Sequence, residues 1–292
     1  MTLVCPPVQE VGRDAIRGWQ STLDAWLLPD AFYSVQHTWP QLYRSDGEGR
    51  FFVIADGERL LAHCATRNVT VHGDHGAHRI CLLGSVVTDP DLRGQGLASQ
   101  VLAAALRANS PHVAATLLWA ERPGLYARAG FVPGPDEQCL ALARRPHADR
   151  TAVRLATISD HAAMHALHER KPWRVERSLS TMATLLSTPG MTTFVLERNG
   201  VVVAYACCGK GADLQGHWHE LGGDDEHLAV LLPAAMHANE QIDAMLLLPP
   251  YRAQLATRLD RIVVDSGTVP GPMVRTSGGA IGSFWIDGLD SV

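Results

Sequence analysis

The chain has 292 residues, 46% hydrophobic and 19% charged, which suits two domains of ordinary size with real cores and excludes wholesale disorder. A net charge of -5 argues against nucleic acid as the main partner, because phosphate backbones demand a basic face. No apolar run approaches the roughly 20 residues of a membrane span, and no charged segment followed by an apolar one marks a signal peptide, so a soluble cytoplasmic protein is expected.

Val8, Val11, Ile16, Trp19, Leu23 and Trp26 fall at roughly helical spacing over residues 8–28. Phe51 to Ala55 reads as a strand, Asp56-Gly57 as a hairpin turn, and Arg59 to Val71 as a longer strand. His72 to His78 reads as a polar loop, and Arg79 to Thr88 as a central strand buried on both faces. A glycine turn follows, then a helix from Leu97 to Ala108, a buried strand from Val113 to Trp119, and a short helix from Pro123 stopped by Gly130. Gln138 to Ala143 completes the first half as a last strand, and the polar segment Arg144 to Arg150 marks the boundary. The second half repeats this order. Helices at Ile158–His168 and Leu179–Leu186 precede strands at Thr193–Glu197 and Val201–Cys208, joined by the hairpin signal Asn199-Gly200. Trp218 to Leu221, Gly222-Gly223, Glu226 to Ala238, Ala244 to Leu248 and Tyr251 to Leu259 follow as strand, turn, helix, strand and helix.

The richest chemistry lies in Arg93-Gly94-Gln95-Gly96-Leu97-Ala98, between a strand and a helix. First-turn amides of a helix lack partners within it, the helix dipole favours an anion there, and glycines let a phosphate approach the backbone. A phosphorylated cofactor gripped around residues 93–99 is the expectation. A dinucleotide-binding turn is the rival, with Glu121 as ribose acceptor. It fits less well, since Ser99 replaces the third glycine and five residues separate Thr88 from Gly94. No Gly-Lys-Ser/Thr occurs, which excludes a P-loop.

The first half resembles the GNAT superfamily of N-acetyltransferases. Arg93, Gly96 and Ala98 fill the Arg/Gln-x-x-Gly-x-Gly/Ala pattern, Asp89-Pro90-Asp91-Leu92 looks like its lead-in, and Tyr126 to Phe131 is similar to the Tyr-x-x-x-Gly-Phe segment. The second half resembles a degenerate copy. The implied fold is α/β (α+β): two GNAT-like domains, each a mixed, mainly antiparallel sheet flanked by helices. Residues 1–146 would be catalytic, and 151–292 would shape the acceptor site or form a dimer interface. The resemblance implies acetyl-CoA as cosubstrate, with its pyrophosphate on Arg93, Gly94, Gln95, Gly96, Leu97, Ala98 and Ser99, and its pantetheine arm along Val86, Val87 and Thr88 of a splayed central strand. It also implies direct attack by a primary amine, on a small molecule or a peptide end, with Tyr126 protonating the departing thiolate. A non-catalytic CoA-binding or protein-interaction module of the same fold is the alternative.

The general base stays open between Glu121 and His63. His72, His75 and His78 lack a completing ligand set apart from Asp74, so no metal is expected. Among six cysteines without C-x-x-C spacing, Cys64, Cys81 and Cys139 read as buried thiols and Cys207-Cys208 as packing residues on opposite strand faces. The aromatic run Trp19, Trp26, Phe32, Tyr33 and Trp39 reads mainly as core, and His217 and His219 as sharing one strand face. Asp224, Asp225 and Glu226 at the second glycine turn would repel a diphosphate, so this copy is expected to bind no CoA. Lysine is confined to Lys171 and Lys210, a bias of composition rather than of function.

Overall fold

The computed structural model describes residues 6–145, 152–279 and 281–292. Cys5 and residues 146–150 of the expected boundary lie outside them. The strands of the first half, numbered in chain order, are β1 (Gln9–Val11), β2 (Arg50–Asp56), β3 (Arg59–Gly73), β4 (Gly76–Thr88), β5 (Ala115–Leu118), β6 (Val132–Pro133) and β7 (Glu137–Ala143). Those of the second are β8 (Val153–Leu155), β9 (Arg174–Val175), β10 (Thr192–Arg198), β11 (Val201–Lys210), β12 (Asp213–Gly223), β13 (Asp243–Leu248), β14 (Val263–Val269) and β15 (Met273–Thr276). They form two mixed, mainly antiparallel sheets flanked by helices. One runs β1-β2-β3-β4-β5-β15-β6 with β9 on β3, the other β14-β7-β13-β12-β11-β10-β8. Only β4–β5 and β12–β13 pair in parallel among the described residues.

Local chemistry explains the elements. Asn199 and Gly200 take φ of 52° and 76°, the left-handed pair that a two-residue hairpin needs. The helix Leu97–Asn109 buries Leu97, Val101, Leu102, Ala105 and Leu106, one apolar stripe laid on β2, β3 and β4. Its end is tied down by Asn109, whose side-chain amide donates to the Ala105 carbonyl at 2.8 Å while its oxygen accepts from Arg50 at 2.8 Å. Two local expectations are corrected. Val8 to Val11 does not open a helix: Gln9–Val11 pairs with β2, and helices follow at Arg13–Gly18 and Gln20–Leu27. The histidine segment is no loop, because His72 and His78 lie within the β3–β4 ladder and only Asp74-His75 turns.

The sheets do not divide at the expected boundary. β7 pairs with β13 and β14 in the second sheet, and β15 pairs with β5 and β6 in the first. Leu140 and Leu142 of β7 are buried in the core beneath the second sheet, beside Leu246 and Trp218. Each half thus donates a strand to the other, and neither sheet is complete without both.

A buried ionic network joins the halves a second time. Arg177 donates to both Glu220 and Asp290, Lys171 to Glu220 and Asp287, and Arg67 of β3 reaches Asp290 at 3.5 Å. All six side chains are at most 4% exposed. Burial pushes the Asp290 carboxyl up, but Arg177 outweighs that and holds it below the ordinary carboxylate range. Lys210, also buried, donates to the carbonyls of Gly288 at 2.9 Å and Ser291 at 2.6 Å, and Gln41 donates to the Ser291 carbonyl at 2.9 Å. Residues 287–292 are therefore clamped between groups from both halves. Replacing Asp290 with Ala takes a carboxylate partner from two buried arginines, so urea unfolding should show a loss of about 3–5 kcal/mol. Unchanged unfolding would show that the network carries no net weight.

Candidate active site

The parallel pairing of β4 with β5 lasts only from Ile80–Ala115 to Leu82–Leu117. Beyond Leu82 the two strands part, while β4 stays paired to β3 as far as Thr88. The edge of Gly84, Ser85, Val86, Val87 and Thr88 that faces β5 therefore has no strand on it. Within this stretch β4 bulges: His63 pairs with Val87 and Ala65 with Gly84, so Cys64 faces two residues, Ser85 and Val86. Ser85 takes φ of 53°, rare for a residue other than glycine. Gly84 has a separate demand, since a Cβ there would lie 2.7 Å from the backbone of Val292.

β4 then leads into the glycine turn. Asp89 accepts from the Asp91 amide at 3.0 Å and from Arg59 at 2.7 Å, fixing the tight turn Pro90–Leu92. Burial pushes the Asp89 carboxyl up, but those bonds prevail and hold it below its ordinary value. Gly94 and Gly96 have φ of 82° and 80°, and a Cβ at either would meet nothing within 4 Å. Gly96 is the N-cap of the helix Leu97–Asn109, and no side chain caps that end. Arg93, Gly94, Gln95, Gly96 and Ser99 are exposed, Ala98 is half-buried, and Leu97 is buried in the core. The turn thus presents uncapped amides and open space with no carboxylate among residues 93–99, the requirements for holding a diphosphate.

Tyr126 lies in the short helix Pro123–Ala127, half-buried, edge-on to Phe131 at 6.1 Å and packed on the core that contains Cys64, Leu83 and Leu97. Burial pushes its phenol up to about 12, with the charge of exposed Glu121 adding to the shift, so the hydroxyl is protonated across the neutral range. Tyr126 and the exposed Glu121 both follow β5. His63 is different. It is wholly buried, its Nδ1 lies 2.8 Å from the Ser85 carbonyl oxygen, and burial lowers its pKa to about 4. A ring engaged in this way is poorly placed to collect a proton from substrate.

The expected core residues fall as read for Trp19, Trp26 and Trp39, which pack on one cluster, but Phe32 is 94% exposed. Cys64, Cys81, Cys139, Cys207 and Cys208 are buried free thiols. Among the described residues, His168, Glu220 and Asp287 come near enough to one another for a metal. Lys171 and Arg177 already neutralise those carboxylates, so the trio belongs to the ionic network.

The second half repeats the parting of strands. β12 and β13 share only the pairs His217–Met245 and Trp218–Leu246. A Cβ on Gly222 would lie 2.0 Å from the Tyr205 ring, whose hydroxyl donates to Glu220 at 2.7 Å. A cleft of about 450 Å³ opens beside the turn Gly223 to Glu226. There Arg252 pairs with Asp225 at 2.6 Å and Arg258 with Glu226 at 3.2 Å. Two of its three acids are thus matched internally, in contrast to the first turn, which carries none.

Residues 47–133 match the family model of the acetyltransferase (GNAT) domain, a span holding β2 to β6, the glycine turn and Tyr126. No curated protein matches the chain. Among solved structures, a conserved protein of unknown function from Enterococcus faecalis superposes with a TM-score of 0.70 at 12% identity, over 92% of this chain and 72% of that one. A GCN5-related N-acetyltransferase from Kribbella flavida gives 0.66 at 16% identity, over 92% and 70%. The N-myristoyltransferase of Saccharomyces cerevisiae, solved with myristoyl-CoA, gives 0.59 at 11% identity, over 94% and 83%. The chain therefore has the two-sheet fold of these proteins. Its residues 47–133 form a domain of the GNAT acetyltransferase family.

One titrating group lies where the halves exchange strands. Glu137, the first residue of β7, sits beside Trp119, and burial raises its carboxyl to about 7. Its folded pKa exceeds the unfolded value of about 4.5, so the stability it contributes is complete below about pH 4.5 and is lost as pH rises through about 7. Glu137→Gln should remove that slope. Urea unfolding of both proteins at pH 5 and pH 8 measures it, and parallel pH dependence would refute the assignment.

Proposed function

We propose that the chain transfers an acetyl group from acetyl-CoA to a primary amine by direct attack in a ternary complex. The observation that carries this reading is the adjacency of two features: a strand edge left free by the parting of β4 and β5, and an uncapped, glycine-lined helix start at its end. The first suits an amide-bearing pantetheine arm, which can pair with Val86, Val87 and Thr88 as an added strand. The second suits the diphosphate, with the amides of Gly94 to Ser99 and the exposed Arg93 around it. A backbone N–H of the bulge then meets the thioester oxygen as charge develops on it. The amine nitrogen bonds to the carbonyl carbon, the carbon–sulfur bond breaks, and the leaving thiolate takes the Tyr126 proton. Glu121, exposed beside Tyr126, is the carboxylate available to receive the amine's proton. The second half, with Asp224, Asp225 and Glu226 at its equivalent turn, serves to shape the acceptor side and holds no CoA.

Calorimetric titration of the whole chain should give one acetyl-CoA per chain. The isolated second half is unsuitable for this test, because β7 belongs to its sheet. Gly96→Glu should abolish binding, since it puts a charged side chain with a left-handed φ at the phosphate site; a residual site would locate CoA in the second half instead. Tyr126→Phe should lower turnover about 100-fold in a thiol-release assay with a panel of amines. Unchanged turnover would make Tyr126 a packing residue, and a wild type that binds acetyl-CoA without releasing thiol would favour a binding module.

A further inference from the structure

We infer that His63 is a positioning residue, which holds the bulge of β4 by donating its Nδ1–H to the Ser85 carbonyl and so aims a backbone amide of the bulge at the acyl thioester. The inference rests on the transferase reading above and adds to it a residue outside the family motifs.

Three observations converge on it. A non-glycine residue in the left-handed region is strained and persists only where its surroundings over-determine it. Ser85 is such a residue, and it sits where the β3–β4 register slips. The imidazole of His63 lies directly against its carbonyl, at 2.8 Å. A carbonyl oxygen can only accept, so Nδ1 carries the proton. The ring is held in place by Tyr43, stacked at 6.1 Å, and by Phe51 at 5.9 Å. Finally, the tautomer so chosen leaves Nε2 bare, and that atom is buried without a partner among the described residues. A histidine kept only to fill space would incur that unsatisfied nitrogen for nothing, since an apolar side chain avoids it. Its single bond to Ser85 is the one contribution that packing cannot replace.

The test compares His63→Leu, which removes the donor, with His63→Asn, whose amide can supply an N–H near the same place. His63→Leu should lower kcat about 10- to 100-fold, as misplacement of a reacting group by a fraction of an ångström does. Its acetyl-CoA dissociation constant should stay within threefold, because the diphosphate turn is untouched. His63→Asn should recover most of the lost turnover. Full activity in His63→Leu, or equal loss in both variants, overturns the inference. Long-range proton–nitrogen correlation spectra of the wild type supply a readout independent of either variant's folding: His63 protonated at Nε2 instead of Nδ1 also overturns it. Failure of the transferase reading is seen separately, as a wild type that neither binds acetyl-CoA nor releases thiol, and it would remove this inference too.

Discussion

Charge buried between the two halves is the constraint on which the remaining architecture depends. Glu220, Asp287 and Asp290 could not stay ionised in so dry a place without Lys171, Arg177 and Arg67 against them, and those cations could not be buried without the acids. The six groups come from β3, β12, the segment around β9 and residues 287–290. Satisfying them fixes where these pieces lie relative to one another. One result reaches the candidate active site: with Asp290 anchored and Lys210 holding the carbonyls of Gly288 and Ser291, Val292 is laid against Gly84 at the start of the bulge.

In the proposed transferase the first half uses an interrupted sheet as its binding surface. Two parallel strands that stay together for three residue pairs and separate leave backbone groups that need partners. The bulge re-aims them, and the exposed turn after Asp89 supplies amides for an anion at the far end. In the second half the strands part in the same way, but two of the acids at its turn, Asp225 and Glu226, are paired to Arg252 and Arg258.

Legibility in the sequence followed the range of the interaction. The glycine turn, the helix after it and the Asn199-Gly200 hairpin depend on residues a few positions apart, and they fall where spacing and turn chemistry place them. So does the GNAT domain over residues 47–133, whose motifs are local. The strand β7 was recognisable as a strand but not as a member of the other sheet, because alternation reports a buried face and not the partner beneath it. β14 and β15 follow the last element read from the pattern; β14 is largely exposed and gives little apolar signal. The bulge at Ser85 left no trace, since no glycine marks its left-handed residue. His63 could be picked out as a candidate base, yet only its depth and its Ser85 contact show it engaged with the backbone.

The two lysines have a consequence beyond the fold. Lys171 is 3% exposed and Lys210 wholly enclosed, each committed to oxygen partners, and the other basic side chains are arginines and histidines. The folded molecule consequently offers no lysine nucleophile to the medium. Activated esters, aldehydes and reactive thioesters, which ordinarily decorate protein surfaces at lysine, would find these two ε-amines out of reach, and the protein would resist such adventitious modification until it unfolds.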